Sequence, residues 1–250
     1  MPDIASLLPP GIDLLTGLLL VGLSLVTSLI TATFSLGGGS LMLVVLALVF
    51  PPAVVVPVHG AVQLGSNGGR ALVQRAYIQW RLVLWIALGA VFGTIVGGQF
   101  ASLLPERWFT LAIALFVLVT TWLPQPKFVG TSRAAQFIGG AVISALSMVV
   151  GATGPLVAVF IKGLADRREL VATHAMLMTF QNSFKVVVFT AIGFAFATYV
   201  PLILAMVLSG FVGTALGSRL LVKVPESLFR WGFKILLTLV ALDLVRSALT

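Results

Sequence analysis

The sequence predicts an all-α integral membrane protein: two inverted-topology repeats of about five helical segments each, with Gly-broken helical hairpins meeting near the midplane. Three observations lead there. The chain is 59% hydrophobic and only 9% charged, whereas a soluble domain carries roughly 25% charged residues to clothe its surface. The chain repeats itself. The charge of equivalent loops swaps between the two copies.

The repeat emerges when the 250-residue sequence is slid along itself. At an offset of 115, Gly39 falls on Gly154, His59 on His174, Asn67 on Asn182 and Arg70 on Lys185. The chain has only 2 histidines, and both land in register. Further on the offset is 120: Gly93, Thr94 and Gly97 fall on Gly213, Thr214 and Gly217, and Pro105, Glu106 and Phe109 on Pro225, Glu226 and Phe229. The difference of five belongs to a loop between residues 73 and 89. The repeats are therefore 1–126 and 127–250, forming one transport domain.

Each repeat reads as five segments. The first is long and apolar (14–36 and 134–150), and it ends at a glycine-rich break, SLGGGS in one half and GATGP in the other. A short apolar piece follows (41–50 and 156–164). At about 1.5 Å per residue it covers only half of a ~30 Å hydrocarbon core. The third segment carries polar residues (53–73 and 170–191). The fourth and fifth are ordinary spans (82–104 and 108–123; 201–222 and 228–240). All must be helical, because backbone exposed to lipid has to satisfy its own polar groups.

Loop charge gives the orientation. Arg70, Arg75 and Arg81 lie around the third-to-fourth loop of the first half, and the equivalent stretch 196–200 has no charge. The fourth-to-fifth loop holds Arg107 alone, while its counterpart holds Arg219, Lys223 and Arg230. Lys and Arg mark the cytoplasmic side, so equivalent loops face opposite sides, the arrangement of an inverted repeat and a transporter architecture. Lys127, Arg133, Arg167 and Arg168 fall inside on the same count. Both termini are then extracytoplasmic, in a multi-pass protein of the cell (inner or plasma) membrane. Asp3 and Asp13 precede the first apolar run with no Lys or Arg, the wrong sign for a cleaved signal peptide.

The third segments carry the candidate chemistry. His59, Gln63, Asn67 and Arg70 fall within an arc of about 80° at about 100° per residue. His174, Met178, Asn182 and Lys185 repeat the stripe, with Gln181 beside it. Polar residues at membrane depth are costly and face the bundle interior or a water-filled path. The breaks bring Gly38, Gly39 and Ser40, and Thr153 and Gly154, to the same depth. Helix N-termini there, with Ser40 as a cap and Pro155 in the first turn, favour an anion. Arg70 and Lys185 supply positive charge, and the histidines, Gln63, Asn67, Gln181 and Asn182 supply hydrogen bonds. His59 and His174 are the candidates for carrying a coupling proton.

At these residues the sequence resembles the sulfite exporter TauE/SafE family of membrane permeases. The carriers are SLGGGSLMLVVLALVFPP with RALVQRAYIQWR, and GATGPLVAVFIKGLADRRELVATHAM with NSFK. The resemblance implies a secondary permease of a small sulfur-containing anion: sulfite, thiosulfate or an organosulfonate such as sulfoacetate. The first half departs from the family pattern at Ser35 and Val45. Transport of another small organic anion, or passive anion conduction, is the alternative.

Other classes fit less well. The net charge of +8 comes without the stacking pattern of a nucleic-acid binder, and the basic residues read as topology markers. There is no P-loop, so no ATP drive within the chain, and no cofactor is implied. With 0 cysteines and no membrane-embedded carboxylates, the two histidines make a poor metal site. Ser40 beside a histidine hints at serine chemistry, but GGGS is not a nucleophile elbow and Pro155 stands at its counterpart; the chain reads as a non-enzyme. Gly89, Gly93 and Gly97, and Ser209, Gly213 and Gly217, form small-residue ridges that could pack within one chain or join two copies as a homodimer.

Overall fold

A computed structural model describes residues 8–34, 37–123, 132–220 and 226–249. Among them are ten α-helices: α1 Leu14–Phe34, α2 Gly38–Val49, α3 Pro52–Val73, α4 Trp80–Leu103, α5 Glu106–Trp122, α6 Arg133–Val150, α7 Gly154–Ile161, α8 Arg167–Ala191, α9 Val200–Leu220 and α10 Glu226–Leu249. Short 3-10 turns, Arg75–Tyr77 and Phe196–Tyr199, precede α4 and α9. Four stretches are long and apolar enough to cross a membrane: Leu14–Ala32, Trp80–Leu103, Arg133–Val150 and Phe196–Gly217. Their outward faces carry large apolar side chains such as Leu18, Phe100, Ile138 and Leu208. Such a surface belongs in lipid.

The two helices that follow the glycine breaks are short. The 12 residues of α2 reach about 18 Å and the 8 residues of α7 about 12 Å, so neither crosses a ~30 Å core. The expected segments otherwise match the helices to within three residues, except at the C-terminus. There α10 runs on to Leu249 instead of stopping at Val240: Ala241 and Leu244 are buried in the core, while Asp243 and Arg246 pair at 2.6 Å on its exposed side. The predicted loop lengthening is shared: α8 continues three residues beyond the equivalent of Val73, and the loop after it is two residues longer.

Helix directions follow from which residues meet. On α3 and α8, Gly60 faces the Lys185 side chain while Gly68 faces Thr179, so these helices run antiparallel. On α4 and α6, Gly89, Gly93 and Gly97 lie against Phe137, Ala141 and Ala145 in order, so that pair is parallel. On α1 and α9, Gly213 and Gly217 lie against Leu25 and Leu29, and Ser209 Oγ donates to the Val21 carbonyl at 2.8 Å; that pair is parallel too. Thus α1 packs on α9 as α6 packs on α4, and each pair joins the first helix of one half to the fourth of the other.

The small-residue ridges are filled by this packing. A methyl group on Gly93 would overlap the Ala141 backbone, and one on Gly213 the backbone of Leu25. The glycines read as a candidate homodimer seam are consumed inside one chain.

The basic loops gather at one end. The Arg168 guanidinium lies 5.5 Å over the Tyr77 ring and donates to its hydroxyl at 3.1 Å, tying the first turn of α8 to the α3–α4 loop. Arg133, opening α6, lies 5.5 Å over the Trp85 ring in the first turns of α4. Lys127, Lys223 and Pro225, and Ser35 in the first break, lie outside the described residues.

Candidate functional site

Both glycine breaks turn through residues that only glycine adopts readily. Gly37 has φ 104° and Gly151 φ 78°, in the left-handed region where a Cβ is penalised. The chain thereby leaves α1 or α6 and starts a new helix inside the bundle. Here the sequence reading needs correcting: α2 begins at Gly38, so Ser40 sits within its first turn and is not its cap. Pro155 does occupy the first turn of α7, where its missing N–H costs nothing. Neither helix start has a side-chain cap.

Each break is held by a histidine. His59 is seven residues past the start of α3, and His174 seven past the start of α8, about 10 Å along each helix. His59 Nε2 bonds the Gly39 carbonyl at 2.9 Å, and His174 Nε2 bonds the Gly154 carbonyl at 3.0 Å. A carbonyl only accepts, so Nε2 carries the proton in both rings. The pairs are related by the sequence offset of 115. They explain why the only two histidines repeat in register.

Between the breaks lies a cavity of about 40 Å³. Its lining includes Thr31 of α1, Gly37, Gly39 and Ser40 of the first break, and His59, Gln63 and Asn67 of α3. Opposite them stand Ala152, Gly154 and Pro155 of the second break, with His174 and Met178 of α8. No carboxylate is among these residues. Asn67 Nδ2 donates to the Gln63 carbonyl at 2.9 Å and to Gln63 Oε1 at 3.0 Å. That fixes the Gln63 amide with its nitrogen outward. The nitrogen reaches only a weak contact with Met42 Sδ at 3.8 Å, so it retains a proton to offer.

The remaining candidates stand behind this wall. Lys185 is fully buried and donates to the Gly151 carbonyl at 2.8 Å. Thr153 donates to Gln181 Oε1 at 3.1 Å, and Gln181 Nε2 to Ser144 Oγ at 3.2 Å. The second break is thus fastened at three points, by Lys185, Gln181 and His174. Gly38 packs beneath α1 against Thr27. Arg70 is half-buried and reaches Asn67 Oδ1 from outside at 3.5 Å. Asn182 is fully buried, and neither of its polar side-chain atoms has a partner among the described residues. The stripe predicted as one face therefore divides: its upper members line the cavity, while Asn182 and Lys185 lie deeper between α3 and α8. The sequence reading named Met178 in the stripe and Pro155 in the helix start without assigning either to the site, and it missed Thr31, Gly37 and Ala152. Gly37, inside the GGG run, and Ala152, inside GATGP, carried a signal.

A donor-rich, carboxylate-free cavity between two helix starts suits an anion. At ~10–15 Å³ per water, it has room for roughly three water molecules, the scale of a small inorganic oxyanion. A family model described as Sulfite exporter TauE/SafE matches residues 19–244. No curated protein and no solved structure matches the chain.

Proposed function

The chain belongs to the sulfite exporter TauE/SafE family, and from that premise we propose that it is a secondary transporter of a small sulfur oxyanion such as sulfite or thiosulfate. The observation that carries the reading is the cavity held between two histidine-fastened glycine breaks. Its size favours an inorganic oxyanion over a longer organosulfonate such as sulfoacetate. The anion would accept hydrogen bonds from Gln63 Nε2, the Ser40 hydroxyl and backbone N–H groups at the two breaks. His59 and His174 keep their Nδ1 edges for a coupling proton.

In this reading residues 1–126 and 127–250 are inverted repeats. The antiparallel α3 and α8, the parallel pairs α1–α9 and α4–α6, and the basic loops gathered at one end all support that arrangement. Positive charge then puts the Arg75, Arg133 and Arg168 loops in the cytoplasm and both termini outside the cell membrane. Rocking of one repeat against the other would expose the cavity to each side in turn.

The test is flux in proteoliposomes offered sulfite, thiosulfate, sulfoacetate, taurine and chloride, with and without a pH gradient. Saturable sulfite or thiosulfate flux exceeding that of sulfoacetate is expected. Non-saturable flux that follows the anion gradient alone would point to a passive channel, and absence of anion flux would sink the reading. A charge placed in the cavity gives a sharper effect. Two like charges about 4 Å apart repel by ~4 kcal/mol at an effective dielectric of 20. Gln63→Glu should therefore lower sulfite flux by roughly a hundredfold or more, while Gln63→Ala, which only removes a donor, should cost about tenfold.

A further inference from the structure

A second cavity, of about 310 Å³, opens at the end of the molecule away from the basic loops. Its walls include Ala53 of α3, Ala101 at the end of α4, Glu106 and Phe109 of α5, Phe189 of α8 and Phe194 after it. Glu106 and Ala53 are exposed at its rim, and Phe109 and Phe189 are buried at its floor.

The order of residues along α3 and α8 relates this cavity to the central one. On α3 the sequence runs Ala53, then His59 about 9 Å further, then Gln63 and Asn67. On the antiparallel α8 it runs Phe189, Lys185, Asn182, then Met178 and His174. Gly60 faces the side chains of Lys185 and Asn182. His59, Lys185 and Asn182 therefore form a layer between the outer cavity and the central one. This layer is polar and buried, and it is under-used. Among the described residues both polar atoms of Asn182 and Nδ1 of His59 have no partner, and Lys185 spends one of its three protons on the Gly151 carbonyl. Buried amides without partners are rare and call for an explanation.

We propose that Asn182 and Lys185, beside His59, form an outer anion subsite, and that the cavity above Phe109 and Phe189 is the extracytoplasmic vestibule leading to it. The proposal rests on the reading of the central cavity as the transport site. The anion passes from the central cavity to this layer, where the Asn182 amide and the free Lys185 protons replace the donors it leaves, and then out between the two phenylalanines. Phe189 lies one helical turn from Lys185, so its rotation opens the layer to the vestibule.

Two measurements test it. Asn182→Leu removes the unpartnered amide at nearly constant volume, and a buried polar group that satisfies nothing contributes nothing to packing. The expected result is an unchanged or higher melting temperature, sulfite binding to purified protein within threefold of the original, and flux lowered at least tenfold. Flux within twofold of the original, or binding and flux falling together, would overturn the outer subsite. If the original protein binds no sulfite saturably, the central-site reading fails and this one with it. The second measurement exploits the 0 cysteines of the chain. S102C, at an exposed position of this cavity, should take a membrane-impermeant maleimide applied from outside, and after removal of excess reagent its sulfite flux should drop at least tenfold. No labelling, or full flux after labelling, would overturn the vestibule.

Discussion

Replacing both histidines by alanine should abolish transport without emptying the membrane of protein. His59→Ala with His174→Ala removes the side-chain bond to the Gly39 and Gly154 carbonyls, each worth about 0.5–1.5 kcal/mol net. The melting temperature should fall. The larger consequence is functional: the breaks lose the bonds that set their spacing, and misplacing a binding group by about 1 Å can cost on the order of a hundredfold in rate. The two sites should not respond equally. The second break keeps its bonds from Lys185 and Gln181. Among the described residues the side-chain bond to a carbonyl of the first comes from His59. Sulfite flux in proteoliposomes should therefore fall further for His59→Ala than for His174→Ala, and His59→Gln, which restores a donor, should recover part of it. Flux in all four variants equal to that of the original protein would show that the histidines are ordinary packing residues.

The glycines predict a second contrast, between folding and transport. Gly93 lies in backbone contact with Ala141, so Gly93→Ala forces α4 and α6 apart. About 3 kcal/mol is expected, the upper end for overpacking an interior, seen as a lowered melting temperature and poor yield. Gly154 is different: a Cβ there would lie 3.6 Å from the His174 ring, an ordinary contact. Gly154→Ala should fold normally yet narrow the cavity, leaving melting within a few degrees and lowering sulfite flux at least tenfold. If Gly154→Ala transports at the original rate, the break does not line the path.

Much of this was legible because rare polar residues in an apolar chain stand out. His59 and His174, the two breaks and the basic loops all announced themselves, and the helix ends followed from the apolar runs. The glycine ridges were legible as contact surfaces but not as pairs: a small-residue face says that something approaches closely, not which helix does. The division of the polar stripe was hidden for a related reason. Periodicity places Lys185 and Asn182 on the same face as His174, but their depth relative to the cavity depends on how α3 and α8 cross. Ser40 misled because a serine beside a glycine run resembles a helix cap, whereas the positive φ of Gly37 starts the helix earlier. The Thr153–Gln181–Ser144 chain joins three elements far apart in sequence, and no local pattern marks it. The end of α10 was not legible from the apolar run 228–240, beyond which Asp243 and Arg246 pair with each other.

The central claim is that a sulfur oxyanion sits between the two glycine breaks. Selenite, with the charge and pyramidal shape of sulfite and a heavier central atom, can be located by anomalous diffraction from crystals grown in its presence. The account predicts one strong anomalous peak within hydrogen-bonding reach of Gln63 Nε2 and of the backbone at Gly39 and Gly154, absent in Gln63→Glu. A peak confined to the protein surface, or one undiminished in Gln63→Glu, would contradict it.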